Sequence, residues 1–130
     1  MSILKNLLSL TTCLALLITP YAGGVTNNPV YFAVGSSGTA TGRLTATVSG
    51  QYAHAETQFL TLSSVTVQGS GRYLLSTGTE GVNSSSSSGY GYALASFAKP
   101  TGSSWMYISG IHTADYNYDH GSDISFLNLT

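Results

Sequence analysis

Arg43-Leu44-Thr45-Ala46-Thr47-Val48 alternates polar and apolar side chains without a break. This period of two constrains the fold more than any other feature of the chain. Side chains of an extended strand point to opposite faces in turn, so the run buries Leu44, Ala46 and Val48 and wets the rest. Further runs follow at Val30–Val34, Arg72–Ser76, Tyr90–Ala98, Ser104–Ile111 and Asp123–Leu129. In Ser104–Ile111 the expected sides are Trp105, Tyr107 and Ile111 against Met106 and Ile108. Gln58–Val67 places Leu60 and Leu62 on one parity, then Val65 and Val67 on the other. The switch at Ser63-Ser64 predicts a β-bulge or a change of sheet. Gln68-Gly69-Ser70-Gly71 reads as a turn. Gly81–Gly89 (GVNSSSSSG) reads as a low-complexity exposed loop.

No segment after Ala22 has helical spacing. About seven or eight short strands between Gly, Ser, Thr and Asn turns predict an all-β, antiparallel sandwich, jelly-roll-like or immunoglobulin-like. The length suits one such domain over residues 23–130.

Residues 1–22 (MSILKNLLSLTTCLALLITPYA) differ in kind. Lys5 precedes a mostly apolar stretch from Leu7 to Ile18, then Pro20 and small residues. That is the layout of a secretory signal, and the apolar stretch is short for a spanning helix, which needs about 20 such residues. Leu10-Thr11-Thr12-Cys13 partly resembles a lipobox with Thr12 in the small-residue place. A retained hydrophobic helix packing in an assembly is the third reading, and the membrane would be met only through such a segment. The expected location is secreted, extracellular or at the cell surface.

Charged residues make up 7% of the chain, with net charge −1. Ordinary soluble domains carry roughly 25%. No basic surface exists for nucleic acid. A single cysteine excludes an internal disulfide and a cysteine-built zinc site. A neutral surface of Thr, Ser, Gln and Tyr on strands has high β-propensity and few of the charges that keep strand edges apart. The expected partner is therefore a second copy, with a glycan or cell-surface ligand as the other candidate.

The acids cluster. Asp115, Asn117, Asp119 and Asp123 fall at alternate positions resembling a calcium loop, in which oxygen ligands of a curled segment converge. The glycine comes one place late, at Gly121, and Phe126 stands where a bidentate glutamate belongs, so only weak calcium binding is expected and no other cofactor. A transition-metal set of His112, His120 and an aspartate has no spacing that fixes its geometry. The ordinary reading is a hairpin loop. Tyr116, Tyr118 and Asn117, with Trp105 and Tyr107 nearby, form a candidate ligand-stacking set, because aromatic faces and carboxamides suit a sugar.

Catalytic signatures are thin. No Gly-x-Ser-x-Gly occurs, and His54-Ala55-Glu56 lacks the Cys-x-x-Cys of a zinc deaminase. The reading is an exported, non-catalytic structural or adhesive protein that self-associates. A carbohydrate- or calcium-binding module, a secreted toxin or bacteriocin, and a small His/Asp hydrolase are the alternatives.

Overall fold

The structure, a computed structural model, describes residues 25–26 and 29–130. The expected signal or helix over residues 1–22 lies outside them. Among the described residues there is no helix, and the strands form two antiparallel sheets.

Nine strands follow in order: β1 (Val25–Thr26), β2 (Val30–Ala33), β3 (Thr39–Ala46), β4 (Tyr52–Gln58), β5 (Ser64–Leu74), β6 (Glu80–Tyr90), β7 (Tyr92–Ala98), β8 (Ser104–Tyr116) and β9 (Asp119–Asn128). Sheet A has five strands, with β1 and β2 both on one edge of β3, followed by β4 and β7. Sheet B runs β6-β5-β8-β9.

The parity switch at Ser63-Ser64 is a change of sheet. β4 ends in sheet A at Gln58, the chain turns through residues 59–63, and β5 begins in sheet B. Thus Leu60 and Leu62 belong to the crossing, while Val65 and Val67 face the core.

Two expectations are corrected. Gln68-Gly69-Ser70-Gly71 is not a turn: β5 runs straight through it. Its glycines make room for core rings. A Cβ on Gly69 would lie 2.4 Å from the Phe97 ring, and one on Gly71 would lie 2.5 Å from Trp105. Nor is Gly81–Gly89 a loop. It lies in β6, paired to β5 without a slip from Ser64–Tyr90 to Leu74–Glu80. The ladder comes from the backbone, so a strand with almost no apolar side chains still forms beside a well-packed neighbour.

The core lies between the sheets. Sheet A contributes mostly small residues, Ala40, Ala46, Ala53, Ala55, Ala93 and Ala95, with Leu44 and Phe97. Sheet B contributes Val65, Val67, Trp105, Ile108 and Leu127. Trp105 meets Phe97 and Tyr73 edge-on at 5.7 and 6.2 Å, and its indole N–H donates to the Gly50 carbonyl at 3.0 Å. Truncating a tryptophan so enclosed costs roughly 3–5 kcal/mol.

The expected alternation in Ser104–Ile111 is broken by a bulge. Arg72 pairs with Tyr107 and Tyr73 with Trp105, so Met106 is left over. The extra residue turns Trp105 to the same face as Ile108, while Tyr107 and Ile111 point outward.

Candidate functional site

The register fixes the outer face of sheet B row by row. One row across β6, β5, β8 and β9 is Ser86, Gln68, Ile111 and Ile124. On one side of it lie Ser88, Thr66, Thr113 and Ser122, on the other Ser84, Ser70, Ser109 and Phe126. None of these side chains is ionisable. Charges stand only at the ends of the face. Asp115 holds His120 at 2.6 Å at one end, and Arg72 meets Glu80 at 3.5 Å at the other.

The face has two halves. On β6 and β5 it is a field of hydroxyls around a shallow trough of about 390 Å³, lined by Thr66, Gln68, Ser86, Ser88, Ile111 and Thr113. On β8 and β9 the hydroxyls of Ser109, Thr113 and Ser122 are joined by Ile111, Ile124 and Phe126. Ile124 is 64% exposed and Phe126 56%, and Phe126 lies against the Tyr107 ring at a centroid distance of 5.3 Å. Tyr107 is fixed from the other side, because Arg72 Nε donates to its hydroxyl at 2.9 Å. Sheet B ends on β6 and β9, which pair with no further strand among the described residues; β6 runs alongside β7, where Asn83 Nδ2 donates to the Ala98 carbonyl at 2.6 Å, and β9 lies beside β2. The β6 edge is eleven residues long, and its only charge is Glu80.

The acidic segment is a tight hairpin. β8 and β9 pair down to Tyr116 and Asp119, leaving Asn117 and Tyr118 as a two-residue turn. Both have positive φ, 53° and 70°. Such primed turns match the twist of a hairpin, and their left-handed residues are usually Asn and Gly.

This hairpin does not bring the expected calcium ligands together. In paired strands the ligands alternate in direction instead of curling inward. Asp115 is taken by His120. Asp119 accepts from the Ser36 amide at 3.2 Å and the Ser37 hydroxyl at 2.6 Å, bonds that hold its carboxyl below the usual range. Asp123 accepts from the next amide, Ile124 N–H, at 2.8 Å. Asn117 sits at the exposed tip. Among the described residues, no group of three or more His, Cys, Asp or Glu is placed to hold a metal.

The expected stacking set is likewise dispersed. Trp105 is committed to the core, 1% exposed. Tyr116 packs edge-on against Phe59 at 6.4 Å. Tyr107 belongs to the outer face of sheet B. Tyr118 is wholly exposed, and with Asn117, Tyr116, Asp115, Asp119, Leu62 and Ser64 it borders a second trough of about 380 Å³.

His112 does meet a serine, in the core. Thr57 Oγ1 donates to the Thr66 carbonyl at 3.0 Å, so it accepts from His112 Nδ1 at 2.8 Å. His112 Nε2 then accepts from the Ser125 hydroxyl at 2.7 Å. The imidazole is fully enclosed and Ser125 is 2% exposed. Burial pushes the imidazole down to about 4, so it is neutral at pH 7. A substrate has no path to this pair, and its polar atoms are satisfied by one another.

One cluster escaped sequence reasoning. Arg43, Glu56 and Leu94 form a row across the outer face of sheet A, with Gln58 and Tyr92 in the next row. Glu56 is 1% exposed, and its Oε2 accepts from the Tyr92 hydroxyl at 3.1 Å. Arg43 Nε, Glu56 Oε1 and Gln58 Oε1 are buried without a hydrogen-bond partner. Glu56 and Gln58 share a face of β4, and neither that strand nor their burial is marked in the sequence pattern.

No protein-family model matches the chain, nor does any curated protein or solved structure.

Proposed function

We propose that this chain is an exported, non-catalytic subunit acting at or outside the cell surface, and that it associates with copies of itself through sheet B. The observation that carries this reading is the outer face of sheet B with its β6 edge. Three successive rows carry no ionisable group, and the eleven-residue edge lacks the lysines and prolines that discourage strand addition. Exposed Ile124, Phe126 and Tyr107 add apolar and aromatic area of the kind enriched in interfaces. We read the sandwich as jelly-roll-like: β5 pairs with β6 in one sheet and β4 with β7 in the other, as one long hairpin folded over the core.

Sedimentation velocity across a concentration series, on protein recovered after export, tests the proposal. The expected result is a mean mass that rises with concentration. Ser86→Lys places a charge on the β6 edge and is expected to lower that mass, with unfolding free energy within about 0.5 kcal/mol of wild type. A monomer at every concentration would sink the reading.

A second reading is favoured by the trough at the hairpin tip. There the exposed Tyr118 ring and the Asn117 carboxamide offer a stacking face and a polar edge for a sugar. A glycan array, with calorimetry against calcium, tests it; no binding in either removes it.

A further inference from the structure

We infer that the trough on sheet B receives Ile111 and Ile124 of a second copy, the two sheets lying face to face about a two-fold axis parallel to the strands. This rests on the association proposed above and fixes how the copies meet. The face is lopsided. Ser84, Ser86 and Ser88 on β6 are short, and the trough runs beside them along β5. Ile111, Ile124 and Phe126 on β8 and β9 stand up into water. An axis running between β5 and β8 reverses the order β6-β5-β8-β9, so β6 meets β9 and β5 meets β8 while the rows keep their level. Ile124 of one copy then lies over Ser86 of the other, Ile111 over Gln68, and Phe126 over Ser84. The bulky side of each copy enters the trough of its mate, and does so twice, because a two-fold contact is made in both directions. Gln68 stands next to the axis, where two carboxamides, each with donor and acceptor, can pair across it.

The other face-to-face arrangement turns about an axis across the strands. It sets each strand over its own counterpart, so Ile124 meets Ile124 while Ser86 meets Ser86. Bulk stacks on bulk, and trough faces trough. Its charge pattern is the better one, since Asp115 at one end of the face lands beside Arg72 at the other. Yet each of these charges already has a partner in its own chain, Asp115 in His120 and Arg72 in Glu80, and both pairs are exposed. Exposed pairs contribute little, and salt screens them further. A void between the sheets forfeits contact along the whole trough, so shape decides. The area suffices as well. Four strands about 4.8 Å apart and ten residues rising about 3.4 Å each give roughly 650 Å² per copy, or roughly 1,300 Å² for the pair, against about 1,200–2,000 Å² in specific interfaces. The contact is closed, so growth beyond a pair must use another surface.

Charge exchange on the two inner strands tests this by sedimentation velocity, on the same preparation as above. Gln68→Glu and Ile111→Lys each set a lone charge at the centre of the contact. Each alone is expected to run at the mass of one chain. Mixed in equal amounts they are expected to return to at least twice that mass, because the new lysine of one copy lies over the new glutamate of the other. The reversed pair, Gln68→Lys with Ile111→Glu, is expected to behave alike and guards against a variant that misfolds. Both positions are exposed, so urea midpoints are expected to stay near wild type. Variants that keep the wild-type mass would place association at the sheet edge, since β5 and β8 are inner strands, and would overturn the inference. So would a loss of mass that mixing restores in neither pair, the outcome of an axis across the strands. In both cases a wild type whose mass rises with concentration leaves the association reading standing. A wild type that stays a monomer removes that reading and this inference with it.

Discussion

His112 Nε2 accepts a hydrogen bond from Ser125 Oγ across 2.7 Å at the centre of the sandwich, and the pair is closed to solvent. A serine beside a neutral imidazole resembles a nucleophile with its base, but here it ties β8 to β9 from within. Removing the hydroxyl leaves a buried acceptor unsatisfied. Ser125→Ala is expected to cost roughly 1–3 kcal/mol, read by urea unfolding at pH 7.

The same histidine sets an acid limit. Its folded value is about 4 against an ordinary 6.5, so between those values the unfolded chain binds the proton more readily. Stability from this group is complete above about 6.5 and falls with pH towards 4, by roughly 3 kcal/mol in all. His112→Gln is expected to remove that slope from the urea-unfolding profile.

Glu56 acts with the opposite sign. Its folded value is raised to about 7 from 4.5, so its contribution is complete below about 4.5 and lost as pH rises to 7. Glu56→Gln keeps an acceptor for Tyr92 and removes the buried charge. It is expected to raise stability by roughly 1–3 kcal/mol at pH 8 and to change little at pH 4.5. A thermal melt at each pH separates this from a general packing effect. Between 4.5 and 6.5 the two groups oppose each other, and wild type is expected to be flatter there than either variant.

Gly42 supplies the space in which His112 sits. A Cβ there would fall 2.5 Å from the imidazole ring, which Thr57 and Ser125 hold on both sides. Gly42→Ala is expected to cost roughly 1–3 kcal/mol, or more if the ring is forced out of its bonds. The His112 ring signals in the NMR spectrum distinguish these outcomes.

Tyr118 is a bulky residue held at φ 70° with its ring in water. Left-handed backbone costs a non-glycine residue roughly 1–2 kcal/mol. Tyr118→Gly is expected to stabilise the hairpin by up to about 1 kcal/mol, after the entropy that glycine loses on folding. If a glycan binds at the tip, the same variant is more stable and binds worse.

Sheets and alternation were legible where large and polar residues take turns, as in β3, and at Ser63-Ser64, where the broken parity marks the crossing between sheets. β4 was not recognised, because YAHAETQ mixes its alanines with polar residues of which three, Glu56, Thr57 and Gln58, are themselves buried. β6 was not, because its pairing is carried by backbone and by its neighbour. Gly69 and Gly71 have the composition of a turn but serve as clearance for Phe97 of the opposite sheet and Trp105 of the neighbouring strand, contacts that the local sequence does not hold. The acids drew attention as a cluster along the chain. Their pairing with His120 and with Ser36 and Ser37 depends on a two-residue turn and on a loop more than 80 positions away.

Five consecutive serines, Ser84 to Ser88, occupy the middle of β6, the last strand on that side of sheet B. Identical side chains carry no address. An incoming strand would meet the same hydroxyls after sliding two residues either way, so neighbouring alignments differ little in energy. Growth along that border would therefore lack a fixed axial offset, giving fibres of uneven pitch and open length in place of a closed ring of set size.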